Sequence, residues 1–143
     1  MILFDSNILI FAHNLDSPHH LKAKQLMGDA LNLNLKVCIA HQNVLEFFSV
    51  ITNPKRIQNS LPLQKAFWVI ENYLLCEEVR KIYPSSTTLS KTISIAKNLS
   101  LNQAEIFDCY LAQTMLDNQV FSIYTDNTSH FQHYETIKAI NPF

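Results

Sequence analysis

Short, uninterrupted apolar runs alternate along this chain with longer segments in which apolar residues recur at helical spacing. The clearest runs are MILF at 1–4, KVCIA at 36–40 and VFSIYT at 120–125, and two further candidates lie at 79–83 and 137–140. An unbroken apolar run of this length is typical of a strand that is buried on both faces, as in a parallel sheet. The pattern therefore predicts strands that alternate with helices, and hence an α/β fold with a parallel sheet wrapped by helices.

Proline and N-cap residues set the predicted limits of several helices. Ser17 and Pro18 have the order of an N-cap followed by the first helical residue, and Pro54 is expected to end a helix that begins at His41. The predicted helices cover 8–11, 18–33, 41–53, 63–74, 86–99 and 102–118.

The fourth predicted helix has one apolar face, which we expect to pack on the core. Its members step by four, three and four residues along the chain: Leu63, Phe67, Ile70 and Leu74. The aromatic residues of this helix and the one before it exceed what one helix face can bury. Core packing is the default interpretation, and a partner surface is the alternative for some of them: Phe47, Phe48, Phe67, Trp68 and Tyr73.

Composition narrows the class of protein. The chain has 143 residues, 48% apolar and 16% charged, without a linker or internal repeat, which predicts a single globular domain over 1–143. A net charge of -1 excludes a strong basic field for capturing nucleic acid. Three cysteines without a C-x-x-C pair argue against a disulfide framework or zinc site, and neither a membrane span nor a signal peptide is recognisable. We therefore expect a cytoplasmic protein.

Four acidic residues stand in unusually apolar surroundings. Asp5 follows the first predicted strand and Asp126 follows the fourth, whereas Glu46 and Asp108 are expected in the middle of helices. The carboxyl ends of adjacent parallel strands lie side by side in an open α/β sheet, and packed helices can aim further side chains at the same point. The sequence thus predicts that these acids converge.

Several carboxylates at one point repel each other unless a cation lies between them. Ligands that are all oxygen favour Mg²⁺ or Mn²⁺, and such an ion in a cleft is suited to the hydrolysis of phosphodiesters. Asn7 and Thr125 stand beside the two strand-end acids and are candidates for orienting water or a phosphate.

Each of these acids also has a structural interpretation. Asp5 can be a helix cap, Glu46 a surface position and Asp126 part of a turn, so the four together are more specific than any one of them. His130 and His133 are interpreted as exposed polar residues, because the sequence supplies no third ligand for a metal.

The order of these motifs resembles the PIN-domain ribonucleases, and most of all the VapC-type toxins of type II toxin–antitoxin pairs. The motifs are DSNILIFA, NVLEFFSVITNP, IFDCYLAQTMLDN, IYTDNTSHF and IKAINPF. The resemblance implies a three-layer α/β/α sandwich with a parallel sheet of about five strands. It places the family's metal-binding acids on Asp5, Glu46, Asp108 and, more variably, Asp126, with accessory polar residues on Asn7 and Thr125.

The same resemblance implies a Mg²⁺- or Mn²⁺-dependent endoribonuclease that cleaves tRNA or another structured RNA. It also implies a homodimer and a cognate antitoxin that inserts a segment into the cleft. Two alternatives stay open. One is a Mg²⁺-binding signalling domain of the receiver type, which needs a lysine near the acids, and the other is a non-catalytic binding module with the same fold.

Overall fold

The computed structural model describes residues 1–101 and 104–143, and within them strands and helices alternate as predicted. The strands are β1 Ile2–Phe4, β2 Val37–Ala40, β3 Arg80–Ile82, β4 Ser122–Tyr124 and β5 Lys138–Ile140. The helices are α1 Ser6–His13, α2 His20–Leu31, α3 His41–Ile51, α4 Leu63–Leu75, α5 Thr88–Leu99 and α6 Glu105–Asp117. A short 3₁₀ turn, Thr128–Phe131, follows β4.

In the described part of the chain the five strands form one parallel sheet in the order β3-β2-β1-β4-β5. β1 is central, and its Leu3 is in register with Cys38 of β2 and Ile123 of β4. The carboxyl ends of β2, β1 and β4 therefore open on the same edge of the sheet.

Alternate residues of the central strands enter two separate cores. Phe4 of β1 and Ile39 of β2 pack with the apolar residues of α1, α2, α3 and α4. Leu3 and Cys38 point to the opposite face and pack with α6. Because both of their faces are covered, β1 and β2 are apolar throughout. The three-layer α/β/α sandwich is confirmed.

Two helix boundaries differ from the prediction. α2 begins at His20 rather than Pro18, because a turn in which the Ser17 carbonyl accepts from the His20 amide (3.0 Å) precedes it. The predicted start of α6 at Asn102 lies outside the described residues. Asp108 was expected in the middle of its helix but lies in the first turn of α6, where a carboxylate is favoured by the helix dipole.

The predicted core face of α4 is wrong for three of its four residues, whereas Ile70 is partly buried and packs against the core. Leu63, Phe67 and Leu74 are 59%, 52% and 45% exposed, whereas Ala66 and Val69 are buried. The spacing shows which residues of a helix share a face, but several faces of α4 carry apolar residues. The small side chains of Ala66 and Val69 face the core, while the larger Leu63, Phe67 and Leu74 lie in solvent.

Aromatic residues on α3 and α4 divide between core and surface. Phe47 is fully buried, while Phe48 is partly buried and stacks on the exposed Phe67 with ring centroids 5.1 Å apart. Trp68 is 63% exposed. Core packing is therefore wrong for Phe67 and Trp68, which leaves a surface contact as the interpretation of these two.

The carboxyl end of α6 is fixed to the start of α5. Asp117 accepts hydrogen bonds from Ser85 Oγ (2.7 Å), Thr88 Oγ1 (2.5 Å) and Lys91 Nζ (2.5 Å). These donors, that of Lys91 first, lower the pKa of Asp117 to about 2. The anchor holds the helix that carries Asp108 at its other end.

None of the helices in residues 1–101 and 104–143 combines the length and the apolar character needed to cross a membrane. Cys38, Cys76 and Cys109 are free thiols, and the first and last of them are buried.

The orientation of α4 can be tested by comparing a buried position with an exposed one on the same helix. We expect Val69→Ala to lower the free energy of unfolding by about 1–2 kcal/mol, because it removes packed methyl groups. Leu63→Ala should change it by less than about 0.5 kcal/mol. Urea unfolding of both variants measures this, and a larger loss for Leu63→Ala would contradict the observed face.

Candidate active site

Asp5 lies where the central strand β1 passes into α1. It is the N-cap of α1, and its Oδ1 accepts from the Ser6 amide at 2.7 Å. The Asp5 amide donates to the Tyr124 carbonyl at 3.0 Å, which ties this turn to the end of β4. The polar residues that interrupt the apolar run thus both cap a helix and place a carboxylate at the sheet edge.

Neutral donors from three parts of the chain surround this carboxylate. Asn43 Nδ2, from α3, donates to Asp5 Oδ1 at 3.2 Å. Asn7 Nδ2, from α1, and Thr125 Oγ1, which follows β4, donate to Oδ2 at 3.1 and 2.7 Å. Asn7 Nδ2 also lies 3.1 Å from Thr125 Oγ1. The two predicted accessory residues therefore lie against Asp5 and fix its orientation.

The contribution of Asn43 was missed by the sequence analysis. Its side chain is fully buried, and its Oδ1 accepts from the Ala40 amide at 3.2 Å while its Nδ2 reaches Asp5. A polar residue in the first turn of a helix that directly follows a buried strand is the signal that could have identified it.

Burial raises the pKa of Asp5 from its usual 3.8 to about 6. The hydrogen bonds from Thr125 and Ser6 act in the opposite direction, and the charges of Glu46 and Asp108 raise the pKa further. Glu46 is exposed on α3. Glu46 and Asp108 therefore act on Asp5 through their charges, and the convergence of these acids on one ion stays a prediction.

Asp108 makes a side-chain contact with an imidazole that was not predicted. Its Oδ2 lies 3.1 Å from His130 Nδ1, on the 3₁₀ turn after β4. Burial raises the pKa of Asp108, the charge of His130 opposes this, and Glu46 raises it again. His130 was interpreted as an exposed polar residue. Its side chain is 48% exposed, yet it also contacts a candidate site residue.

In the described part of the chain, no hydrogen bond or ion pair joins Asp126 to Asp5, Glu46 or Asp108. It is exposed, and its Oδ1 accepts from Asn141 Nδ2 at 3.2 Å. It is absent from the groups that shift the pKa of Asp5 or Asp108 most strongly. Its participation in the site stays a prediction.

The donor set can be compared with what a divalent cation requires. Within the described residues, no group of three or more His, Cys, Asp and Glu side chains is arranged to hold an ion by itself. Asn7 Oδ1, however, is buried beside Asp5 and has no hydrogen-bond partner in the described part of the chain. The Asn7 oxygen and the carboxylates of Asp5 and Asp108 are of the ligand type that Mg²⁺ or Mn²⁺ prefers, and these ions keep several water ligands.

The electrostatic environment of Asp5 leads to a pH-dependent stability in metal-free protein. A carboxyl whose pKa is higher in the folded state stabilises that state below about pH 4, and this contribution is lost as the pH rises through about 6. Relative to Asp5→Asn, the free energy of unfolding should fall between pH 4 and 7, by at most about 3 kcal/mol. Denaturation in EDTA measures this. Glu71→Gln, at an exposed position of α4, is the control. A difference in unfolding free energy between the protein and Asp5→Asn that does not change with pH would contradict the expectation.

Comparison with known proteins identifies relatives in sequence and in structure. No family model matches the chain. Ribonuclease VapC43 of Mycobacterium tuberculosis is 22% identical over 118 residues, which are 82% of this chain and 80% of the relative.

Solved structures resemble the chain over nearly its whole length. The toxin VapC20 of Mycobacterium tuberculosis, described as cleaving the sarcin–ricin loop, has a TM-score of 0.71 at 12% identity and covers 94% of this chain and 95% of its own. A toxin–antitoxin complex from Klebsiella pneumoniae has a TM-score of 0.61 at 17% identity, with coverage of 100% and 98%. The chain therefore has the PIN-domain fold of the VapC toxins, and the resemblance expected from its sequence motifs is confirmed.

Proposed function

We propose that this chain is a metal-dependent endoribonuclease that acts as the toxin of a toxin–antitoxin pair. The main support is the Asp5 carboxylate, held at the end of the central strand with Asp108 and Glu46 within electrostatic reach. This arrangement occurs in a fold shared with VapC toxins, and the sequence is similar to VapC ribonucleases.

The side chains have distinct roles in this proposal. Asp5 and Asp108 hold Mg²⁺ or Mn²⁺, and Glu46 and Asp126 complete its shell or orient its water ligands. The ion, when bound, activates a water and neutralises charge on the phosphate oxygens. Thr125 hydrogen bonds to Asp5 and keeps its carboxylate in one orientation.

Hydrolysis forms a bond between a water oxygen and phosphorus and breaks one phosphorus–oxygen ester bond, with a proton passing to the leaving oxygen. The chain must therefore fix the RNA backbone so that the water and the leaving oxygen are in line. Asn7, which hydrogen bonds to Asp5, is suited to orienting a water through its buried Oδ1.

The proposed partners are a structured RNA such as tRNA, a cognate antitoxin and a second copy of the chain. The antitoxin is supported by the structural similarity to a toxin–antitoxin complex. The exposed side chains of Phe67 and Trp68 supply apolar surface for contact with protein.

A receiver-type signalling domain is less well supported. That chemistry needs a lysine close to the acceptor aspartate. In residues 1–101 and 104–143, the hydrogen-bond donors to Asp5 are neutral groups of Ser6, Asn7, Asn43 and Thr125. They are suited to hold a carboxylate that binds a cation and offer no cation for a phosphoryl group.

The proposed function predicts that cleavage of RNA needs both the metal and the central acids. Purified protein should cut a small-RNA pool into discrete products with Mg²⁺ or Mn²⁺ and stop in EDTA. Asp5→Ala and Asp108→Ala should each lower the rate about a hundredfold or more, because they remove ligands of the ion. Gel analysis and end-mapping of the products measure this.

Glu71→Ala, which removes an exposed acid of α4 far from the site in sequence, is the matched control and should cleave normally. Circular dichroism checks that each variant is folded. Metal-dependent cleavage retained in folded Asp5→Ala would contradict the assignment, and failure to bind Mn²⁺ in calorimetry would favour a non-catalytic binding module.

A further inference from the structure

A cavity of about 300 Å³ is lined in part by Asp108. It lies between the start of α6 and the 3₁₀ turn after β4. Its walls include two acids, two imidazoles, an amide and a phenol: Glu105, Asp108, His130, His133, Gln132 and Tyr134. None of these residues except Asp108 belongs to the proposed metal site.

The dimensions and lining of the cavity limit what it can hold. Its volume is at the lower end of the range for small-molecule sites, so it suits a single ring system. His130 and His133 offer flat faces, and Gln132 offers both a hydrogen-bond donor and an acceptor. Single-stranded RNA is recognised by these means, with splayed bases that stack on rings and hydrogen bond along their edges.

The charge of the cavity walls favours a nucleobase over a phosphate as the ligand. Glu105 and Asp108 contribute carboxylates, and Asp108 is already paired with His130 at 3.1 Å. A phosphate would meet repulsion here, whereas an exocyclic amino group can donate to the acidic wall. Uracil lacks such a group, but cytosine, adenine and guanine carry one.

We propose that this cavity is a specificity subsite for one nucleobase of the RNA, next to the cleaved bond, and that it prefers bases with an exocyclic amino group. The inference rests on the proposed ribonuclease function. The position follows from Asp108, because a nucleotide whose phosphate lies at the metal site has a neighbouring base within reach of the adjoining cavity.

The test uses RNA with a randomised segment, cleaved by the full chain with Mn²⁺ and sequenced at the new ends. One position beside the cut should disfavour uracil by about fivefold to tenfold, the effect of one hydrogen bond. Glu105→Gln and His133→Ala should reduce this preference to less than about twofold while cleavage at the best sites continues. Glu71→Gln, which neutralises an exposed acid of α4, is the matched control and should keep it.

A second measurement tests nucleotide binding at the subsite independently of RNA cleavage. Binding of CMP and UMP is followed in EDTA by NMR shifts, with the same variants. CMP should bind more tightly than UMP, and Glu105→Gln should remove the difference.

The outcomes are distinguishable. Cleavage whose base preference is unchanged in folded Glu105→Gln and His133→Ala overturns the subsite and leaves the proposed function standing. If no RNA is cleaved, the proposed function fails, and the nucleotide measurement decides the subsite. A CMP preference lost in Glu105→Gln then supports it, and equal or undetectable binding of CMP and UMP overturns it.

Discussion

The site depends on the burial of one carboxylate, Asp5, at the carboxyl end of the central strand. An ionised carboxyl in such a place is costly unless hydrogen-bond donors surround it. The donors come from α1, α3 and the residue after β4, with Thr125 at 2.7 Å. These segments meet because β1 lies between β2 and β4 in the sheet. The strand order therefore assembles the site, and the donors only partly offset the raised pKa of Asp5.

The two cores on either side of the sheet give the acids different supports. α3, which carries Glu46 and Asn43, belongs to the side built around Phe4, whereas α6, which carries Asp108, packs on the side of Leu3. Asp108 reaches the sheet edge from the first turn of a helix whose other end is fixed through Asp117. Carboxylates from opposite layers of the sandwich can lie near one cation without sharing a helix face. Such an arrangement would suit an ion that keeps several water ligands.

Sequence periodicity predicted the strands and helices well, but it did not predict which of their residues are buried or which residues they contact. A strand was predicted at the position of each strand that the structure describes. Apolar runs identify the central strands, because both of their faces are covered, whereas the edge strands β3 and β5 include charged residues. Periodicity did not identify the core face of α4, since Ala66 and Val69 rather than the larger Leu63 and Phe67 are buried. It also could not predict the contact between His130 and Asp108, because these residues belong to two different elements.

The sequence by itself determined the α/β class, the order of the elements and the position of Asp5, because an acid that directly ends a buried central strand has few other places to lie. The two polar residues that it named, Asn7 and Thr125, hydrogen bond to Asp5 in the structure, and their role towards water or phosphate stays a prediction. Only the tertiary structure decided that Asn43 supports Asp5, that His130 pairs with Asp108 and that Asp126 instead contacts Asn141. The physical reason is that helical and strand periods are local. Contacts such as Thr125 to Asp5, 120 residues apart, depend on how whole layers pack.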